Sequence, residues 1–374
     1  MNVERGRGGR ARSLAWVIAV LAAGCGSSSD SVPAVSCAVS QSGALQALES
    51  EMGAALSLAV SEVDFTYAVE RLDGRRYTFS RGGSTLQTSY ESKSASKLVS
   101  AVIIMRLVEQ GHLALSAQPQ TYIEAWPISG GDPLAGMTLA HLLSFTSGLR
   151  HDRDPACLNE ARADFEECVL SVADANAGNG NVPGQAFFYA SGHLQVAGLM
   201  AVKARGVADW QAIFTEFRSQ TGLFPASPFD APSVTNPNLA GGMHITGEDY
   251  MAFLKSLRSG QLLNSASMAQ LLADRTAGIP LVYSPIFSGI GGGAALGEDW
   301  HYGFGLWHEC QSATFNCVPG TRISSPGALG TYPFWDRSKN YTGIVVRAGA
   351  FGTVTTGIAI ERAVRAKVEA WAAC

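Results

Sequence analysis

A dominant sign of charge is absent from this chain. Its 27 Lys and Arg nearly balance its 31 Asp and Glu, the formal net charge is −4, and no block of like charge occurs. That removes the electrostatic footprint of a nucleic-acid binder, and no nucleic-acid partner is expected. Charged residues are few altogether, at 16%, against 47% hydrophobic residues and 41 Gly. This composition excludes a disordered or fibrous chain and allows a substantial core, either one large domain or two lobes sharing it. Long apolar runs are missing too. The stretch from Leu14 to Ala23 is too short to hold a bilayer as a stable span. Neither Cys-x-x-Cys nor His-x-x-x-His spacing occurs, so no metal site is expected. There is no internal repeat.

What is present begins with an export pattern. Arg5, Arg7, Arg10 and Arg12 precede the short apolar run, and Ala22-Ala23-Gly24-Cys25 resembles a bacterial lipobox. The polar tether Gly26-Ser27-Ser28-Ser29-Asp30 follows. The expectation is a lipoprotein signal peptide over 1–24, lipidation of Cys25, a tether over 25–40 and a folded domain over 41–374. The protein would then sit in the cell envelope, anchored to membrane through its N-terminal lipid and facing the periplasm or exterior. Plain secretory cleavage is the alternative, because Leu21 sits one place earlier than usual. The seven cysteines agree with export, since six remain if Cys25 is lipidated. Their spacing suggests local bridges Cys157–Cys168 and Cys310–Cys317, with Cys37 and Cys374 joining the chain ends; free buried thiols are the other reading.

Apolar spacing predicts a helix over Ser42–Leu56. Strands are predicted at Phe65–Leu72 and Arg75–Ser80, with Asp73-Gly74 as a two-residue hairpin signal between them. A helix from about Ser94 to Gln110 ends at Gly111. A mostly helical region with long loops runs from about Leu113 to Arg275, including helices at Gly247–Leu257 and Ser265–Asp274. Strands return at Tyr302–Trp307, Leu329–Trp335, Gly343–Ala348 and Val354–Ile360, and a last helix covers about Glu361–Ala372. Strands at both ends with helices between them imply one mixed sheet closed where the chain ends meet.

Ser94-Ala95-Ser96-Lys97 carries the chemistry. On a helix, residues three apart share a face, so the Ser94 hydroxyl and Lys97 amine point the same way. A serine hydroxyl needs a base beside it, and a lysine becomes one if burial lowers its pKa. Alone, the tetrapeptide reads equally as a helix start with a solvated lysine. Three further segments follow in order: His141-Leu142-Leu143-Ser144-Phe145-Thr146-Ser147-Gly148-Leu149, then Tyr189-Ala190-Ser191, then Ser325-Pro326-Gly327. Each has a plain structural reading, as a Gly-capped helix end, an aromatic core residue and a strand entry. Together they resemble the class C β-lactamase-like serine hydrolase family, over roughly Asp64 to Arg365. That family includes penicillin-binding proteins, D-Ala-D-Ala carboxypeptidases, family VIII esterases and 6-aminohexanoate-oligomer hydrolases.

The resemblance implies an α/β (α+β) fold of the β-lactamase/transpeptidase type. An antiparallel sheet of about five strands is flanked by terminal helices and joined to a mainly helical lobe. It implies Ser94 as nucleophile, with Lys97 and Tyr189 moving protons, Tyr189 serving as phenolate or shared-proton partner with its pKa lowered by cationic neighbours. Backbone amides of Ser94 and Ala328 form the oxyanion hole. Ser191, Ser325 and Gly327 stand at substrate-binding positions. Ser191 replaces the usual Asn, and Ser325 replaces the usual Lys or His. Gly241, Gly242 and the N-cap residue Thr246 are read as structural, and His193, His244 and His301 as structural or solvated. No cofactor is implied, and the substrate is a small-molecule or peptide-like acyl compound. The implied function is an exported serine hydrolase of esters or amides. The alternatives are a β-lactamase or D-Ala-D-Ala-type peptidase, and a non-catalytic lipid-anchored binding protein.

Overall fold

The computed structural model describes residues 42–374. The signal peptide over 1–24, the lipidated Cys25, the tether over 25–40 and Cys37 with its pairing to Cys374 lie outside the described residues. The first expected helix is α1, Ser42–Ser57. Asp73-Gly74 turns the chain between β1, Phe65–Arg71, and β2, Arg76–Ser80. Gly74 takes a φ of 86°, the left-handed backbone that such a turn requires. Strand β3, Ser89–Glu91, leads through a 3-10 turn at Lys93–Ala95 into α2, Ser96–Glu109.

The helical middle contains α3, Leu139–Leu143, and α4, Phe165–Asn176. Then come β4, Phe187–Phe188, α5, Gly192–Arg205, and α6, Trp210–Thr221. Strand β5, His244–Thr246, precedes α7, Gly247–Arg258, and α8, Ser265–Leu271. As expected, Thr246 caps α7, its hydroxyl accepting the Asp249 N–H. Next are β6, Leu281–Tyr283, α9, Pro285–Ser288, β7, His301–Tyr302, and β8, Trp307–His308. The chain finishes with β9, Arg322–Ser324, β10, Tyr332–Asp336, β11, Tyr341–Arg347, α10, Val354–Arg362, and α11, Arg365–Ala373.

Seven strands form one antiparallel sheet in the order β2-β1-β11-β10-β9-β8-β7. Strands β1 and β11 pair from Phe65 opposite Arg347 to Arg71 opposite Tyr341, so the first and last strands of the described residues lie side by side. Both are buried along their whole length, whereas edge strand β2 is half open. Helix α10 packs on β10 and β11, α7 on β11, and α1 on α11 and β2. In the helical lobe, α5 touches α2, α3, α4 and α6. Helix α2 is apolar nearly all round and buried from Ser96 to Met105, the pattern of a core helix rather than a surface one. Each of its fully enclosed Leu, Ile and Val side chains contributes about 1.5–3 kcal/mol of burial.

Three expectations need correction. The sheet has seven strands rather than about five, because β7, β8 and β9 are ladders of two or three residues. The strand expected at Tyr302–Trp307 is two strands separated by a turn at Gly305, whose φ is 68°. The strand expected at Val354–Ile360 is helix α10. Its β-branched residues suggest a strand, yet Val354, Gly357, Ile358 and Glu361 face inward at helical spacing. Gly357 lies so close to the Gly330 carbonyl that a Cβ would stand 2.0 Å from it. The final helix therefore starts at Arg365. Cys157 is bonded to Cys168, and Cys310 to Cys317, as the spacing suggested.

Candidate active site

Ser94 occupies the 3-10 turn that opens α2, and main-chain contacts hold that turn from several sides. Lys93 carries a φ of 45°, a left-handed conformation costly for a residue with a Cβ. The Ser92 N–H donates to the Met243 carbonyl at 2.9 Å. The Ser92 and Ser96 hydroxyls lie 2.7 Å apart. The Tyr250 hydroxyl donates to the Ala95 carbonyl at 2.8 Å. Two glycines press on the same region. A Cβ on Gly327 would stand 2.2 Å from the Ser92 carbonyl, and one on Gly305 2.5 Å from the Lys97 carbonyl. The pairing of β3 with β5 brings the 240s loop alongside, where Gly241 meets the Lys93 backbone.

Lys97 Nζ lies 2.9 Å from Ser94 Oγ and 2.7 Å from the Ala240 carbonyl oxygen. Its side chain is closed from water, with the residue 3% exposed. Burial disfavours the ammonium more than the Asp154 charge favours it, and the Lys97 pKa falls to about 7. Tyr189 lies on the other side, its ring centroid 4.6 Å from Nζ and stacked on Trp307 at 5.2 Å. The expected lowering of its pKa does not occur. Burial raises it, and hydrogen bonding to Ser94 and Trp307 only moderates the rise, so Tyr189 keeps its proton. The lysine, not the tyrosine, is the group that reaches its proton-accepting form near pH 7.

The segment 141–149 lies behind Tyr189 and does not line the cavity. Phe145 packs against Tyr189, Tyr302 and His193, the last with ring centroids 4.7 Å apart. His193 Nδ1 lies 2.9 Å from the Ser147 hydroxyl and Nε2 2.8 Å from the Phe188 carbonyl. Burial lowers its pKa to about 3, which keeps it a neutral structural imidazole. His244 and His301 pair with Asp230 and Asp274, each at 2.6 Å, and neither lines the cavity.

A cavity of about 600 Å³ opens in front of Ser94, Lys97 and Tyr189, walled by Asp154, Ser191, Tyr283, Ile290, Ala328 and Phe351 among others. Among the described residues, the Ala328 N–H has no acceptor. Ser325 and Gly327 are not part of the wall. They lie behind the serine, where the Ser325 hydroxyl donates to the Ser94 carbonyl at 3.1 Å. Among the described residues, no group of three His, Cys, Asp or Glu is arranged to hold a metal ion. Asp154 and the stacked pair His151–Tyr283 escape a reading of the sequence. His151 and Asp154 sit in what resembles an ordinary charged turn and Tyr283 ends β6, and only the fold brings them to one cavity wall.

Residues 64–361 match the family model described as Beta-lactamase. Penicillin-binding protein 4 of Amycolatopsis lactamdurans is 23% identical over 301 residues, covering 69% of this chain and 77% of that protein. The structure of EstCE1, described as a hydrolase with promiscuous acyltransferase activity, aligns with a TM-score of 0.66 at 18% identity over 86% of this chain and all of that one (100%). A penicillin-binding protein from Bacillus halodurans aligns with a TM-score of 0.60 at 19% identity, over 86% of this chain and 98% of that one.

Proposed function

The chain belongs to the beta-lactamase family of serine hydrolases, and from that premise we propose that it is an exported enzyme cleaving an ester or amide through an acyl-enzyme on Ser94. The observation that carries this reading is the 2.9 Å contact of Ser94 Oγ with an amine whose pKa is about 7. Neutral Lys97 takes the Ser94 proton as Oγ attacks the acyl carbon. The oxyanion that forms is met by the N–H groups of Ser94 and Ala328, a pair of donors of the kind worth about 10²–10³ each in rate. The protonated Tyr189 hydroxyl, beside the serine, supplies a proton to the departing alcohol or amine and regains one from Lys97. Water then enters and gives its proton to the same relay, which returns it to Ser94 Oγ as the acid leaves.

Ser191 lacks the carboxamide that would grip a substrate amide, and Ser325 brings no cation to the cavity. Both departures favour an esterase or general amidase over a dedicated β-lactamase. Export and lipid anchoring at Cys25 rest on the N-terminal pattern alone.

The test is hydrolysis of p-nitrophenyl butyrate beside nitrocefin, with intact-protein mass measured after a fluorophosphonate. Turnover and a label on Ser94 are expected, and Ser94→Ala should lose both, with turnover falling by about 10⁴-fold or more. The ratio of the two substrates separates esterase from β-lactamase. A folded protein that turns over neither and takes no label is a binding protein.

A further inference from the structure

One carboxylate in the cavity wall feels the charge of Lys97 but forms no ion pair with it. Asp154 follows the turn at His151–Arg153 and reaches the start of α5. There Oδ2 accepts the Ser191 N–H at 2.8 Å and Oδ1 the Gly192 N–H at 3.0 Å. Gly192 admits it, since a Cβ there would stand 2.8 Å from Oδ1 and 2.7 Å from Val172. Two backbone donors occupy one acceptor site on each oxygen and leave the others for a cavity ligand. Among the described residues, no Lys, Arg or His forms an ion pair with it.

The other carboxylate and the lysines of the cavity are accounted for. Glu91 pairs with Lys93. Lys97 is neutral in the form that accepts the serine proton. In that form the charge of half-buried Asp154 has no lysine to compensate it, and an unpaired carboxylate partly shielded from water is costly. Burial pushes the Asp154 pKa up to about 6, against the pull of the two N–H groups and Lys97, the direction expected of a carboxylate short of a partner. In the same wall, Tyr283 stacks on His151 with centroids 3.7 Å apart. Aromatic faces and a carboxylate together suit an ammonium group.

We propose that Asp154 is a specificity-determining residue that pairs with an ammonium group of the substrate, making the substrate class amino-substituted esters or amides. This deepens the acyl-enzyme reading of Ser94 and rests on it. The bound ammonium replaces the countercharge that Lys97 gives up when it becomes the base.

The test reads binding without turnover. The full-chain Ser94→Ala variant is titrated calorimetrically at pH 8 with two amides of matched shape, N-butyl 3-aminopropanamide and N-butyl butanamide. These differ by an ammonium in place of a methyl group. At that pH Lys97 is mostly neutral and Asp154 ionised. The amino compound is expected to bind about tenfold or more tightly, the scale of one partly desolvated ion pair. Adding Asp154→Asn should bring the two affinities within about twofold. Equal binding of the two amides by Ser94→Ala, including none by either, overturns the proposal, and needs no second variant to fold. A preference that survives Asp154→Asn in a protein of unchanged melting temperature also overturns it, leaving Asp154 as a cap on α5. Failure of the hydrolase reading appears separately, as wild-type protein without turnover or label.

Discussion

Arg322 and Lys97 are both cations closed off from water, 8% and 3% exposed, and the fold treats them in opposite ways. Arg322 opens β9, opposite Asp336 of β10. Its guanidinium reaches Glu309 at 3.0 Å, Glu361 at 2.8 Å, Asp336 at 3.3 Å and the Tyr341 hydroxyl at 3.0 Å. Glu361 also accepts from Arg365 Nε at 2.9 Å. Burial works against the Arg322 charge, but Glu361, Tyr332 and Glu309 outweigh it and its pKa rises. Lys97 has a carbonyl, a hydroxyl and the field of Asp154, and burial wins. Equal concealment from solvent therefore gives a fixed charge where acceptors are plentiful and a labile proton where they are few. The first arrangement holds strands together, and the second suits the base we propose.

Breaking the labile side should have the larger effect. Lys97→Arg keeps a cation that stays protonated, so it should lower kcat/KM by about 10²–10⁴ with the protein still folded. An active Lys97→Arg enzyme would remove the lysine from the relay. On the fixed side, Glu361→Ala leaves Arg322 and Arg365 without their shared carboxylate. It should cost about 3–5 kcal/mol, read as a lower urea midpoint. A loss below about 1 kcal/mol would mean that the network is held by its other members.

Two smaller measurements sharpen the contrast. The base must be neutral to act, and its pKa is lowered to about 7. The rate should therefore be full above that value and fall about tenfold for each pH unit below it. An acid limb near the ordinary lysine range would show an amine that burial has not perturbed. Tyr341→Phe removes one hydrogen bond to Arg322 while its carboxylate partners remain. It should cost only about 1–2 kcal/mol in urea unfolding, with no change in the pH profile.

Parts of both regions were legible in the sequence. Ser94 and Lys97 are close along the chain, and one helical turn brings them together. Asp73-Gly74 dictates its hairpin locally. The ordered segments 141–149 and 189–191 pointed to the family and, through it, to the tyrosine. Local chemistry misled where distant packing decides. Val354 to Ile360 has the residues of a strand, but it forms a helix whose Gly357 packs directly on the Gly330 backbone. Tyr189 was expected to lose its proton readily, yet burial among Phe145, Phe187 and Trp307 holds the proton in place. Ser325 was placed in the substrate's path, but its hydroxyl faces the back of the nucleophile's turn. Asp154 stands among ordinary surface charges in the sequence, and its position depends on a glycine nearly forty residues away.

Gly327 and Gly305 touch the nucleophile's turn with bare backbone, from parts of the chain more than two hundred residues distant. Ile290 and Phe351 meet the same cavity with side chains at its rim, the latter 57% exposed. The molecule is thus divided for directed evolution. Libraries at the rim can retune which acyl groups enter while the reacting atoms stay in register. A methyl group added at either glycine would dislodge the serine from its base, and no selection at the rim would restore it.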